Sequence, residues 1–242
     1  RLQKGRIPAR FPDMKGLRAK SRYLAGTRPG GDYFDLGESP DGRRISIVMT
    51  DSSSYGLSSA VLSALMRISI KASGESSSSS ETVTRIQDEL TQALGEKERL
   101  SLFFGMLGRK DFHLRYVNLG TSMGFHCRKG ENFRPLPSHG SSLSSSSQNS
   151  KGPEYRDTEI PLQPDDRLVL ISDGFLDPLG GPLQAANTLD GFRGKDPVDL
   201  LNELAYQVKS KLPAPDELPA QDCSALVLDI DSKLLTLIKK IS

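Results

Sequence analysis

The chain of 242 residues lacks tryptophan and is poor in the residues that mark several classes of protein. Its 2 cysteines and 3 histidines are scattered along the sequence, which excludes a disulfide framework and a zinc site built from clustered Cys and His. So few cysteines suit a reducing compartment, and we expect a cytoplasmic protein. The sequence also has no run approaching the roughly 18 consecutive apolar residues of a membrane span, which excludes an integral membrane protein.

The sequence has no large excess of either charge. Lys and Arg number 32 and Asp and Glu 30, so the net charge is +2. Dedicated nucleic-acid binders are strongly basic, and we therefore expect no nucleic-acid partner. Residues 1–28 carry 9 basic residues against a single acid, Asp13. This run fits a solvated face better than a site for an acidic partner or a phosphate.

What the chain does contain is enough apolar sequence, 36% of its residues, for one large domain. Two serine-rich tracts, 73–81 and 138–151, lack apolar periodicity and are expected to be exposed loops. The order of the other elements is not the regular alternation of a doubly wound parallel sheet, so we expect antiparallel sheets with helices outside. The patterns predict strands over 44–50, 102–107, 113–118, 167–172 and 223–230, a hairpin over 125–133, and helices over 57–71, 82–94 and 197–211, with 233–241 fitting either type.

Four aspartates share one setting, because Asp32, Asp51, Asp173 and Asp222 each lie at the mouth of a predicted strand, beside small residues. Taken singly, each also fits a turn or a helix cap. A carboxylate is costly to bury unless it is paired or bound to a cation, so convergent carboxylates indicate a metal. An all-oxygen set favours Mg²⁺ or Mn²⁺ over zinc. Four acids are enough for two ions if one acid bridges them.

Three residues around Asp32 are candidates for contact with a substrate phosphate. Gly30 and Gly31 precede it and would let the backbone approach a phosphate closely. Arg28 carries a guanidinium that can meet phosphate oxygens bidentately, although a solvated arginine fits as well.

Five motifs occur in a recognisable order along the chain. They are Gly-Gly-Asp-Tyr-Phe-Asp at 30–35, Asp-Ser-Ser-Ser-Tyr-Gly at 51–56, Tyr-Val-Asn-Leu-Gly at 116–120, Asp-Arg-Leu-Val-Leu-Ile-Ser-Asp-Gly at 166–174, and Asp-Cys-Ser-Ala-Leu-Val-Leu at 222–228. Together they resemble the metal-dependent protein phosphatase family, also called protein phosphatase 2C, in its bacterial stage II sporulation protein E form. The resemblance extends from Leu17 to Ile230.

The resemblance implies an α+β fold, a four-layer α-β-β-α sandwich of two antiparallel sheets with outer helices. It places the phosphatase domain at 17–242 and makes 1–16 the stub of an upstream regulatory helix or linker. It also implies a pair of Mn²⁺ or Mg²⁺ ions. Asp51 would bridge the two ions, Asp32 and the carbonyl of Ser52 would hold one, and Asp173 and Asp222 would hold the other.

The function implied by the resemblance is that of a bacterial serine/threonine protein phosphatase in signal transduction. A metal-bound hydroxide would attack phosphoserine or phosphothreonine directly, with Asp51 and Asp173 as catalytic residues and no covalent intermediate. The substrate would be a small regulatory protein of the anti-sigma-factor antagonist type, so that the enzyme regulates a sigma factor. An upstream sensory or coiled-coil segment of the same chain would control the phosphatase.

Two departures from the family pattern support an alternative function. Ser54 stands where the family has glycine, and Thr121 stands where it has histidine. These changes favour a regulatory binding module that keeps the phosphatase fold without turnover. A two-metal nuclease or nucleotide hydrolase also fits an oxygen-rich site, but the chain lacks the basic track that nucleic acids require beyond its first 28 residues.

Overall fold

The computed structural model describes residues 11, 14, 16–27, 31–39, 41–52, 78–90, 94–121, 123–145, 155–214 and 216–231. They form two compact units. The first unit contains the described residues within 31–121 and 138–161, and the second unit contains those within 11–27, 122–137 and 162–231. Each unit holds one five-stranded sheet in which all neighbouring strands run antiparallel. The α+β class and the two antiparallel sheets are therefore confirmed.

The sheet of the first unit has the strand order β2-β3-β4-β5-β8. One described helix, α1, packs against β4 and β5. These elements are β2 (Tyr33–Glu38), β3 (Arg44–Ser52), α1 (Ser79–Leu90), β4 (Leu100–Gly108), β5 (His113–Leu119) and β8 (Thr158–Pro161). The predicted strands at 44–50, 102–107 and 113–118 are confirmed, each slightly extended, whereas β8 was not predicted from the sequence.

Helix α1 begins at Ser79 and not at Thr82, as its apolar pattern predicted. The cause is Asp157, whose carboxylate accepts hydrogen bonds from the backbone N–H groups of Ser79 (3.2 Å) and Ser80 (2.7 Å). These donors lack partners within a helix, so an external cap stabilises its first turn. Ser79, Ser80 and Glu81, expected to lie in an exposed loop, are therefore helical.

The sheet of the second unit has the strand order β1-β10-β9-β6-β7. Helix α2 packs against β9 and β10, and α4 packs against β1 and β10. The elements are β1 (Leu17–Leu24), β6 (Gly124–Cys127), β7 (Arg134–Pro135), β9 (Arg167–Ile171), α2 (Asp173–Leu179), α3 (Pro182–Asp190), α4 (Pro197–Lys209) and β10 (Cys223–Ile230). Strands β9 and β10 and helix α4 confirm the predictions there, and the predicted hairpin is formed by β6 and β7.

Strand β1 lies within the basic run and was not predicted as a strand. Arg18 and Lys20 are exposed and alternate with Leu17 and Ala19 along this strand at the edge of the sheet. Exposed basic side chains are a common way to protect a sheet edge from pairing with another chain. The solvated interpretation of the run agrees with this placement.

The start of helix α4 is determined by the residues next to it in the sequence. Asp196 precedes Pro197 and accepts a hydrogen bond from the backbone N–H of Val198 at 2.9 Å, which caps the helix. Its buried face includes Leu201 and Leu204, as predicted, but Val198 is 46% exposed and does not belong to the core. The predicted helix at 57–71 and the segment 233–241 lie outside the described residues.

The described part of the second serine-rich tract is attached to the first sheet, contrary to the expectation of a fully exposed loop. Leu143 forms an isolated bridge with Leu100 and is 1% exposed. The backbone N–H of His139 donates to the carbonyl of Asn118 at 2.6 Å. An apolar side chain and a row of backbone hydrogen bonds therefore hold this segment despite its serine content.

Cys127 and Cys223 are both buried free thiols. Among the residues described, no helix is long and apolar enough to cross a membrane.

Candidate metal and active site

The first two candidate aspartates face each other across the edge of the first sheet. Tyr33 pairs with Thr50 in the antiparallel ladder of β2 and β3, so the next residues outward, Asp32 and Asp51, lie opposite each other. The ladder also continues to Gly31, whose carbonyl accepts a hydrogen bond from the N–H of Ser52 at 3.1 Å. Side chains at directly opposed positions have Cβ atoms about 5 Å apart. Two carboxylates at that spacing repel each other and attract a cation.

Gly31 lets the carbonyl of Ser52 come close to this pair. A Cβ atom on Gly31 would lie 2.4 Å from the Ser52 oxygen, and the φ angle of Gly31 is +142°. Both features require glycine, since other residues rarely adopt this backbone conformation. The local sequence thus brings two carboxylates and one carbonyl oxygen to the same strand ends.

Asp222 is fixed by the backbone of the second unit. It is 3% exposed, and its Oδ1 accepts a hydrogen bond from the N–H of Gly26 at 2.8 Å. Gly26 follows β1, and a Cβ atom there would lie 2.3 Å from the carbonyl carbon of Gln221. This hydrogen bond orients the carboxylate in the way that outer contacts orient metal ligands.

Asp173 begins α2 directly after β9, close to Asp222 along the sheet. The backbone N–H of Ser172 donates to the carbonyl of Ser224, and the Ser172 hydroxyl accepts a hydrogen bond from the N–H of Ser224, both at 2.9 Å. A Cβ atom on Gly174 would lie 2.0 Å from the carbonyl oxygen of Asp222. The backbone beside Asp173 is therefore pressed against Asp222, and the second unit brings its own two aspartates together.

Other candidate residues are placed only in part. Arg28, Gly30 and Ser54 lie outside the described residues. Thr121 is exposed, and its N–H donates to the hydroxyl of Ser101, the residue that pairs with Asp51. Thr121 therefore lies one strand away from Asp51.

Sequence reasoning missed two glycines that shape the second pair. Gly26 supplies the donor to Asp222, and Gly174 gives the close approach of α2 to the same residue. Gly174 directly follows Asp173, so a small residue at that place was a usable signal. Gly26 is nearly 200 residues from its partner, and no local pattern reveals such a contact.

The donors in each unit suit a hard cation. They are carboxylate and carbonyl oxygens, which Mg²⁺ and Mn²⁺ prefer, and the tight approach of Gly31 to the Ser52 carbonyl leaves no side chain in the way. In the described part of the chain, no group of three or more His, Cys, Asp or Glu side chains is close enough to hold a metal ion. Each unit by itself thus contributes a pair of acids.

Several solved structures have a fold similar to that of this chain. The chain is similar to the RsbU and RsbW domains of a Mycobacterium tuberculosis protein, with 17% identity over 93% of this chain and a TM-score of 0.73. It is also similar to the PP2C phosphatase domain and regulatory fragment of the cell fate determinant SpoIIE from Bacillus subtilis, with 14% identity over 89% of this chain and a TM-score of 0.72. The chain spans 62% of the length of each of these structures.

Metal ions are present in other structures with a similar fold. The catalytic domain of the serine/threonine phosphatase PstP, in complex with two manganese ions, matches 89% of this chain and 99% of its own at 15% identity and a TM-score of 0.63. RsbX in complex with magnesium matches 91% of this chain and 98% of its own at 12% identity and a TM-score of 0.64.

These likenesses establish the fold, which is that of the protein phosphatase 2C structures. No curated protein sequence matches the chain significantly. The sequence profile of stage II sporulation protein E matches residues 41–231, which is most of the chain. The chain therefore belongs to the stage II sporulation protein E family.

Proposed function

We propose that the protein is a metal-dependent serine/threonine phosphatase that hydrolyses phosphoserine or phosphothreonine on a small regulatory protein. The observation that carries the proposal is the presence of two acid pairs, Asp32 opposite Asp51 and Asp173 beside Asp222, each built at the end of paired strands. Membership in the stage II sporulation protein E family supports it. Such pairs are costly in a folded protein unless a cation binds to them.

Each candidate ligand has a defined part in this proposal. Asp32, Asp51 and the carbonyl of Ser52 would hold one ion, since the two carboxylates lie at opposed positions of β2 and β3. Asp222, oriented by Gly26, and Asp173, at the start of α2, would hold the other. A bound pair of Mn²⁺ or Mg²⁺ ions would acidify a water molecule and neutralise the oxygens of a phosphoryl group.

The glycines before Asp32 and the arginine near them would receive the substrate. Gly31 lacks the side chain that would fill the space beside the Ser52 carbonyl, so a phosphate has room to approach. Arg28 and Gly30 are proposed as further phosphate contacts. A small regulatory protein of the anti-sigma-factor antagonist type is the proposed substrate, as the resemblance to the stage II sporulation protein E family implies.

The test is a phosphate-release assay with Mn²⁺ on phosphoserine and phosphothreonine peptides. We expect Asp51→Asn and Asp173→Asn to lower activity by about 100-fold or more, because each removes a charged ligand. Asp216→Asn is the matched control, since Asp216 is exposed in the same unit as Asp173. Equal activity of wild type and Asp173→Asn would contradict the proposal.

The alternative function is a binding module without turnover. Thr121 favours it, since this exposed residue replaces the family's histidine one strand away from Asp51. Calorimetry with Mn²⁺ separates the two functions. A wild-type protein that binds no Mn²⁺ at millimolar concentration and releases no phosphate would be a module, and metal binding together with turnover would be an enzyme.

A further inference from the structure

A cavity of about 360 Å³ lies in the second unit at the end of its sheet away from Asp173 and Asp222. Arg167, the first residue of β9, and Ile230, the last residue of β10, line it. The two aspartates lie just beyond the opposite ends of the same strands. Eight residues of extended chain span about 26 Å, so this cavity is separate from the candidate active site.

One wall of the cavity is a rigid, charge-neutral pair. The guanidinium of Arg167 donates to both carboxylate oxygens of Asp229, at 2.6 and 2.9 Å. Its remaining bonds go to the carbonyls of Arg193 and Lys195, at 3.1 and 2.9 Å. Four donor–acceptor contacts nearly exhaust the five N–H groups of an arginine. Arg167 therefore fixes the wall and the segment at 193–195, and it leaves little capacity for a ligand.

Apart from Arg167 and Asp229, the cavity is lined by four basic residues and one acidic residue. Lys129 pairs with Asp165 at 2.8 Å, which neutralises both. Arg18, Arg128 and Arg193 remain. Arg18 lies 3.6 Å from Asp229, which is already paired, and Arg193 donates to the amide oxygen of Asn132 at 2.7 Å. Within the described residues, no carboxylate forms an ion pair with Arg128 or Arg193. The lining thus has an excess of three positive charges.

From this arrangement we infer that the cavity binds a compact phosphate-bearing anion. Guanidinium groups meet phosphate oxygens through paired, charge-assisted hydrogen bonds, and three of them line this half-open cavity. Gly130 and Gly194 also line the cavity, and a Cβ atom on either would contact nothing within 4 Å, which leaves room for the ligand. An extended acidic peptide requires a track of cations, whereas these cations surround a single cavity.

The inference does not depend on the proposed phosphatase activity, because no candidate metal ligand lines the cavity. Binding is measured by calorimetry at low salt with EDTA present, using pyrophosphate and, separately, ATP. We expect the wild type to bind pyrophosphate with a dissociation constant below about 1 mM. Tighter binding of ATP identifies a nucleotide as the ligand, and equal binding identifies the inorganic phosphate group; both results support the site.

Three variants test the location. Arg128→Gln and Arg193→Gln each remove one unneutralised charge and are expected to weaken binding about tenfold. Gly194→Glu places a carboxylate in the cavity and is expected to abolish binding. Because a Cβ atom at Gly194 meets open space, this variant is expected to fold normally. Lys209→Gln, an exposed cation elsewhere in the unit, is the matched control and is expected to bind normally.

Two results would overturn the inference. The first is the absence of pyrophosphate binding by the wild type at low salt. The second is binding that survives Gly194→Glu and both arginine variants, which would place the anion outside this cavity. Circular dichroism of every variant checks that the fold is retained.

Discussion

The two units present the same chemistry, a pair of aspartates, by different structural means. In the first unit Asp32 and Asp51 face each other across two strands, so their spacing follows from the register of the ladder. In the second unit Asp222 is buried, accepts a backbone hydrogen bond from Gly26, and has α2 packed against it at Gly174. Strand pairing therefore positions the first pair of aspartates, and tertiary packing positions the second.

This difference predicts opposite weaknesses. The first pair has two like charges opposed at close range, which lowers stability when no cation is bound. The second pair depends on close backbone contacts, so it should be sensitive to added volume and insensitive to charge repulsion.

Adding a methyl group at Gly174 should have the largest effect. A Cβ atom would lie 2.0 Å from the backbone carbonyl oxygen of Asp222, which cannot rotate away as the end of a side chain could. We expect Gly174→Ala to lower the free energy of unfolding by about 3 kcal/mol. Gly31→Ala should cost about 1 to 2 kcal/mol, because Gly31 precedes β2 and the strand end can shift.

Urea unfolding measures both values. Gly194→Ala is the control and should leave stability nearly unchanged, since its Cβ meets open space. A greater loss in Gly31→Ala than in Gly174→Ala would show that the first pair is the more tightly packed one.

The helix caps extend the comparison to α1 and α4. Asp157 caps α1 from a distant part of the chain and serves two N–H groups, whereas Asp196 caps α4 from the adjacent position and serves one. We expect Asp157→Ala to cost about 2 kcal/mol and Asp196→Ala about 1 kcal/mol in unfolding free energy. Thermal denaturation gives both values, and equal costs would mean that the second N–H group of α1 gains nothing from its cap.

Neutralising one aspartate of each pair should change stability in opposite directions when EDTA is present. Asp51→Asn relieves the repulsion across the ladder and should raise the unfolding free energy by about 0.5 kcal/mol. Asp222→Asn weakens the hydrogen bond from Gly26 and should lower it by about 1 kcal/mol. Chemical denaturation with EDTA measures the signs.

Added Mn²⁺ should stabilise the wild type and have little effect on either of these variants, because binding to the native state raises its stability. Changes of the same sign for Asp51→Asn and Asp222→Asn in EDTA would remove the distinction between the two pairs.

The smallest effect concerns pH and His139, in the first unit. Burial lowers the pKa of this imidazole below its ordinary value of 6.5. The unfolded chain therefore takes up a proton more readily than the native protein, so the stabilisation is complete above pH 6.5 and declines as the pH falls below it. The melting temperature should drop by about 1 °C between pH 7.5 and 5.5.

The variant His139→Gln tests the assignment of this pH dependence. It should melt at a lower temperature at pH 7.5 and show a shallower decline toward pH 5.5. An unchanged slope would assign the dependence to another group.

Much of the fold is predictable because local pattern and tertiary structure agree. Strand β10 was predicted with the correct ends, since Asp222 precedes it and Asp231 follows it. Strand β1 was missed because alternating basic residues at a sheet edge look the same as a solvated loop. The start of α1 was missed because Asp157, its cap, lies 77 and 78 residues away from the N–H groups that it binds.

The role of the four aspartates as metal ligands stays a prediction. Aspartates beside small residues at strand ends are visible in the sequence, and the structure pairs them within each unit. The hydrogen bond that orients Asp222 was not predictable, because its donor, Gly26, comes close to Asp222 only in the folded chain.

The pairing of β1 with β10 cannot form until nearly the whole chain has been synthesised. Leu24 pairs with Cys223, and the Gly26–Asp222 hydrogen bond joins residues 196 positions apart. At a synthesis rate of about 5 to 20 residues per second, β1 remains without this neighbour for roughly 10 to 40 s. Such distant contacts also form slowly once the chain is complete. The Asp222 carboxylate thus acquires its orientation late, when the translated chain has closed its second sheet.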